Sequence, residues 1–300
     1  MRECTANRRN SIVNIIITPL RWIMDLIYGF VGNYGLTIVL FTLVIKLIIL
    51  PLDIKQRKSM RAMQDLQPKI DAINKKYEKD PEKKSQKTME LYKKEKVNPM
   101  GGCLPMLIQM PVLFAMFAVM RHIGGEQAVA MYETAAAGGT FVPESFLWIT
   151  NIWQPDNIMA AVIPSLSDLT GTLSAVKNNA ILTEETVEMV RNNYEIVMKP
   201  VMEMYNTGNA NGWAILPIVA GASQYFTTWL MNGNKKGKPE TQQSQQNKMM
   251  NYMFPLMSVF FCWQYNAAFS IYWVTSNLYT IVTYAAFNLY FDRKAEKKSA

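Results

Sequence analysis

Lys46 is the residue whose type and position most invite chemistry. It interrupts an otherwise apolar run from Tyr34 to Leu52, and about 20 such residues suffice to cross a bilayer as a helix. A lysine in the middle of that run costs roughly 2.5–3.5 kcal/mol on insertion scales unless water, a counter-ion or an escape to the headgroups offsets it. Two readings stay open. Pro51 lies five residues on, about 7.5 Å of helix rise, so the long stem could snorkel to the interface. Alternatively the amine sits in a polar cavity, which Thr42, one turn away on the same face, favours. Gln109, Gln224, Tyr272, Ser276 and Asn277 fall in further apolar runs, where polar side chains either bond helices together or line a wet cavity. Helix bonding is the commoner role for Gln109, Ser276 and Asn277. The apolar runs themselves contain no acidic residue, so a cation among them would attract an acidic visitor.

Other chemistries find little support. Cys4, Cys103 and Cys262 have no CxxC spacing, and His122 is the single histidine, a poor inventory for zinc or a thiol nucleophile. Neither GxxxxGK[ST] nor GxGxxG occurs, so no nucleotide-phosphate cradle is expected. The expectation is a protein without cofactor or metal, and not an enzyme. The 300 residues, 50% hydrophobic and 18% charged with net charge +8, would suit a soluble basic protein only if charged and apolar residues interleaved. They are segregated instead.

Helices must position these residues. The apolar runs predict an all-α polytopic membrane protein with five spans, at 33–52, 104–121, 213–231, 252–266 and 269–291. The second is short, so it should be shielded by protein or continue into the next turn. The last two are joined by Asn266-Ala267-Ala268, long enough only for a tight helical hairpin. Between Asp53 and Met100 fourteen basic residues face eight acidic ones, which marks residues 53–100 as cytoplasmic. The 232–250 loop and the 292–300 tail are basic too, whereas 122–211 carries only Lys177, Arg191 and Lys199 against ten acids. That pattern places the N-terminus outside and the C-terminus inside. An outside N-terminus calls for a leader to carry it across, and no apolar run precedes Cys4; a processed chain or unaided insertion is expected.

Within the 1–30 segment, Ile12 to Tyr28 is apolar but contains Pro19, Arg21 and Asp25. Two charges near the middle of a span are costly, so an interfacial amphipathic helix that keeps both wet is preferred to a sixth span. The cytoplasmic segment reads as a helical hairpin. Met60, Met63, Leu66, Ile70, Ile73 and Tyr77 form one stripe, Asp80-Pro81 starts a second arm, and Met89 and Tyr92 lead on to Val97. Met60, Met63, Lys69, Lys75 and Lys76 are its candidate docking residues for a client or ribosome. From about 165 to 212 lies an acidic insert in which Glu184 to Tyr205 reads as an amphipathic helix.

Several of these stretches carry a resemblance. Val31-Gly32-Asn33-Tyr34-Gly35 before Lys46 and Pro51-Leu52, the Leu66-Gln67-Pro68-Lys69-Ile70 of the hairpin, the block YKKEKVNPMGGCLPMLIQMP from Tyr92 to Pro111, and Tyr272-Trp273-Val274-Thr275-Ser276-Asn277 resemble the YidC family of membrane-protein insertases. The resemblance covers about 17–121 and 212–291. It implies a five-helix core around a hydrophilic groove, open to the cytoplasm and laterally to lipid but sealed outside. Lys46 stands where the family has a groove arginine, which keeps the charge and loses the bidentate grip. Thr42, Gln224 and Trp273 fall on or beside that groove; with the polar Gln109, Tyr272 and Ser276 of the apolar runs added, the candidate substrate site is Lys46, Thr42, Gln109, Gln224, Tyr272, Trp273 and Ser276.

The implied function is insertion of membrane proteins without nucleotide hydrolysis, in the bacterial inner or plasma membrane. Partners would be nascent membrane-protein clients, the bilayer, and the ribosome and Sec translocon, with no direct nucleic-acid function. Twenty-one methionines suit adaptable client contacts, although compositional bias explains them equally well. A small transporter or channel is the rival reading, and it predicts internal repeats that the sequence lacks. A basic nucleic-acid binder is the second rival; only Tyr77 and Tyr92 supply aromatics in the basic hairpin, which argues against it.

Overall fold

The structure, a computed structural model, describes residues 18–97, 104–169, 184–232 and 242–299. Among these residues the fold is helical, with a lone bridge between Phe146 and Ile149 and no strand. The helices are α1 (18–31), α2 (Tyr34–Lys76), α3 (Pro81–Lys94), α4 (Leu104–Ala136), α5 (Glu184–Asn206), α6 (Ile215–Asn232), α7 (Gln242–Gln264) and α8 (Ala267–Ser299).

One loop organises one end of the bundle. Asn33 caps α2 by accepting from Leu36 N at 3.0 Å, and Glu144 accepts from Tyr34 N at 2.9 Å. Asp156, fully buried, takes Trp213 N and Ala214 N on one oxygen and Leu216 N and Trp148 Nε1 on the other, at 2.7–3.2 Å. Ala267 N and Ala268 N donate to the carbonyls of Gln154 and Ile152, while Asn266 Oδ1 accepts from Phe269 N. Three helices, α2, α6 and α8, therefore begin at the 144–156 loop, and the two acids meet the positive ends of helix dipoles. Gly35 lets the loop approach, since a Cβ there would overlap the Phe146 ring.

Beneath the loop lies the main core. Phe41, Met116, Met120, Ile123, Ile152, Phe269 and Tyr272 are buried in it, and Phe117 stacks on Phe269 with centroids 4.2 Å apart. Helices α6, α7 and α8 pack together, and α8 meets α2 and α4. Gly221 permits the α6–α7 approach, because a Cβ would meet Val259.

The tight turn between the last two helices forms as expected, although Ala267 and Ala268 already belong to α8. The short second span is the start of α4, which runs on to Ala136. Its added half packs Val129, Met131 and Tyr132 against Val187, Val190, Tyr194 and Met198 of α5, so the acidic insert has its own small core. The amphipathic helix expected from Glu184 to Tyr205 is present with its apolar face buried. Residues 170–183 lie outside the described residues.

α2 does not stop at Pro51-Leu52. It continues through Pro51 and Pro68 to Lys76, a 43-residue helix of about 65 Å, so the first predicted span and the first hairpin arm are one element. Leu66 and Ile70 pack on Tyr92 with Leu91 and Val97. Asp80 Oδ1 accepts from Lys83 N at 3.1 Å and Pro81 occupies the first turn of α3, as Asp80-Pro81 foretold. The carboxyl of Asp80 is held below its ordinary range by that backbone donor and by the Lys83 side chain.

The N-terminal helix corrects one expectation. Arg21 is not wet: it donates to Asp25 at 2.9 Å and to Glu126 at 2.7 Å, and its side chain is 22% exposed. Burial alone would lower the Arg21 pKa, but Glu126 and Asp25 raise it. Met24 on the same helix is fully buried, which pins α1 to α4 and the core. Residues 1–17 lie outside the described residues.

Candidate functional site

Around Lys46, α2 has two unlike faces. Leu36, Leu40, Val44, Leu47, Ile48, Leu52 and Ile54 are exposed on one side, an apolar stripe that suits hydrocarbon and not water. Thr42 is fully buried and Lys46 is 8% exposed on the other. Protein atoms, not lipid, cover the lysine. Among the described residues α2 is the one helix long and apolar enough to cross a membrane by length and composition. Exposed Ile218, Phe226 and Trp229 on α6, Leu256 and Phe260 on α7, and Leu278 and Val282 on α8 give those helices apolar outer faces as well.

The polar face is longer than the sequence reading made it. Asp53 and Arg57 follow Lys46 by seven and eleven residues, so helical geometry keeps them on its side. The charge of Asp53 acts on Lys46 and on Arg57. The apolar run itself holds no acid, as expected, but Asp53 lies one residue past its predicted end. Arg57, also 8% exposed, donates from Nη2 to Thr283 Oγ1 at 2.8 Å. Tyr279 Oη donates to the Lys46 carbonyl at 3.2 Å. Both bonds tie α2 to α8.

The other expected residues divide. Tyr272 and Ser276 are buried on α8 at 2% and 7% exposure. Asn277 donates to Ser223 Oγ of α6 at 3.0 Å, the helix-bonding role anticipated for it. Trp273 is half-buried beside Phe269, and its Nε1 is buried without a hydrogen-bond partner. Gln224 is half-buried; on α6 the buried polar positions are its neighbours Ser223 and Thr227. Gln109 belongs to α4, but its side chain lies outside the described residues. In the hairpin Met60 and Met63 are half-buried, and Lys69, Lys75 and Lys76 are exposed, with Lys69 2.6 Å from Glu95.

Sequence reasoning missed Arg57, Asp53, Ser223, Thr227 and Thr283. The signal for the first two was their helical spacing from Lys46, hidden by ending the span at residue 52. For Ser223 and Thr227 it was the i, i+4 spacing within the third apolar run.

Buried donors without hydrogen-bond partners occur on this face and also at the loop end, where Trp153 Nε1 has none. Gln56 Nε2, Arg57 Nη1 and Trp273 Nε1 are all in that state, and each such group carries a desolvation cost of about 1–3 kcal/mol until an acceptor arrives. Such a face suits transient hosting of polar groups, with no nucleophile or acid–base pair aligned on it. Among the described residues no cluster of His, Cys, Asp and Glu could hold a metal ion.

An all-helical bundle with apolar outer faces and one polar, protein-covered face defines a membrane protein that shelters polar groups. The sequence model for a family described as 60Kd inner membrane protein matches residues 26–294, and the chain belongs to that family. "Membrane protein insertase YidC" of Fusobacterium nucleatum is 34% identical over 217 residues, 72% of this chain and 96% of that protein. The protein of the same name from Clostridium tetani is 29% identical over 269 residues, 90% of this chain and 88% of its own. That from Clostridium perfringens is 41% identical over 175 residues, covering 55% of this chain and 66% of that one. Among solved structures, "Active YidC insertase crystal structure with the first transmembrane domain resolved" aligns with TM-score 0.50 and 25% identity over 90% of this chain. This chain spans 46% of that solved chain.

Proposed function

We propose that this protein is a membrane-protein insertase whose groove is the α2 face from Thr42 to Asp53, backed by α8 and α6. The observation that carries the reading is Lys46, covered by protein on a helix whose opposite face is an apolar stripe. A short hydrophilic end or loop of a client enters from the hairpin side. There Lys46 and neighbouring hydroxyl, amide and indole groups reduce the cost of taking polar backbone and carboxylates from water. The client's apolar helix moves along the outer faces of α6 and α8 into lipid. Burial of its surface, at about 25 cal/mol per Å², drives the step without nucleotide, and the chain acts as a chaperone and not as an enzyme.

The membrane topology proposed is five spans with the 144–156 loop outside and the hairpin inside. Support comes from the basic balance of the 53–100 segment and from α2, α6 and α8 all starting at that loop. The hairpin, through Met60, Met63, Lys69, Lys75 and Lys76, meets the client or ribosome, and a Sec translocon is a further partner. The outer end, closed by hydrogen bonds, disfavours a solute path through the bundle.

Reconstitution in liposomes with a short single-span client tests this. Lys46→Ala should lower insertion of an acidic-tailed client about 10-fold or more, the loss of one charge-assisted contact, while Lys46→Arg preserves it. Equal insertion by Lys46→Ala, with neutral and acidic tails alike, would remove the electrostatic part of the mechanism.

A further inference from the structure

We propose that the cavity at the root of the hairpin binds the headgroup of an anionic phospholipid, with Arg57 as its anchor. The cavity holds about 310 Å³ and lies between α2, the end of α6 and α8, lined by Arg57, Gln64, Leu230, Tyr284, Phe287 and Asn288 among others. Arg57 is 92% covered by protein, as its 8% exposure implies. One guanidinium nitrogen is used on Thr283, the Tyr284 ring lies 5.4 Å from Cζ, and Nη1 is buried with no hydrogen-bond partner. Arg57 lines the cavity, and a planar cation held by a hydroxyl and a ring with one nitrogen unpartnered needs only a small side-chain shift to offer that donor to an oxyanion.

The surrounding charges fit a monoanion. Asp53 lies one turn before Arg57 on the same face, Arg61 and Asp65 also line the cavity, and Lys58 joins the last two around an adjoining space of about 200 Å³. Three basic groups thus face two acids. Depth points to lipid. Arg57 is six residues past Pro51, about 9 Å of helix rise, and the exposed apolar stripe of α2 ends at Ile54. That is where phosphates lie, and basic pockets between helices on the cytoplasmic side recognise anionic headgroups. Leu230 and Phe287 offer an apolar wall for the first acyl carbons. A client carboxylate presents the same oxyanion chemistry but has no use for that wall.

The site rests on the membrane placement proposed above and not on insertion activity. The test is native mass spectrometry of the full chain, client-free, after exposure to equal phosphatidylglycerol and phosphatidylcholine. The wild type should retain phosphatidylglycerol at least about 5-fold more often. Arg57→Gln should bring the two lipids to parity, Arg57→Lys should keep part of the preference, and Lys55→Gln, an exposed neighbour, should keep all of it. Unchanged preference in Arg57→Gln would overturn the site. So would equal loss in Lys55→Gln, which means diffuse charge, or Arg57-dependent binding of an acidic peptide with no lipid preference. With no client present, failure here leaves the insertase reading standing, and failed insertion in liposomes leaves lipid retention measurable.

Discussion

At the loop end of the bundle Asp156 is fully buried and each of its oxygens accepts two hydrogen bonds; toward the hairpin Arg57 is almost as buried and keeps one nitrogen without an acceptor. The two regions use the same ingredients, a buried charge among helix ends and hydroxyls. At the loop end the polar atoms of Glu144, Asp156 and Asn266 serve the fold by capping three helices, although Trp153 Nε1 there is buried without a partner. Toward the hairpin Gln56 Nε2 and Arg57 Nη1 are buried without partners, and an unsatisfied buried donor of this kind calls for an explanation such as a bound water, ion or ligand.

Changes at the loop end should therefore cost stability. Asp156→Ala strands four donors that have no other partner nearby, and unfolding in detergent should show a loss of about 3 kcal/mol or more. A loss under about 1 kcal/mol would mean that the loop is not the closure described. Gly35→Ala forces a methyl group into the Phe146 ring, so the same assay should read about 1–3 kcal/mol.

Smaller effects come from α1. Burial would raise the Glu126 carboxyl, but His122 at 3.1 Å and Arg21 at 2.7 Å hold it below its ordinary 4.5. A depressed carboxyl contributes stability that is present above the unfolded pKa and lost as pH falls through the folded one. The thermal midpoint should thus decline below about pH 4.5 in the wild type and less steeply in Glu126→Gln. An identical decline in both would detach this cluster from the stability of the loop end. The smallest change expected is Lys69→Ala, which breaks a largely exposed pair with Glu95 and should move hairpin stability by less than about 1 kcal/mol.

The sequence made the same contrast partly visible. Segregation of Lys and Arg marked the basic 53–100 segment, and Asp80-Pro81 and Asn266 marked turns because their chemistry is local. Lys46 stood out because an apolar helix gives a charge no partner. What escaped was non-local. Nothing near Asp156 in sequence announces Trp213 or Leu216, nearly 60 residues away, as its donors, so the closed end was legible only through family resemblance. Arg57 and Asp53 escaped for a different reason: the predicted span stopped at residue 52 and the hairpin began at 53, yet the helix runs on and carries the polar face with it. Gln224 was chosen on α6 for its amide, whereas Ser223 and Thr227, less conspicuous, occupy the buried positions.

Site-specific photocrosslinking of a stalled acidic-tailed client measures the central claim most directly. A photoreactive residue placed at Thr42, on the polar face, should capture the client tail, and one at Ile152, a buried residue of the loop, should not. Capture at Ile152 equal to that at Thr42 would show the two ends to be alike and contradict a groove closed at the loop end.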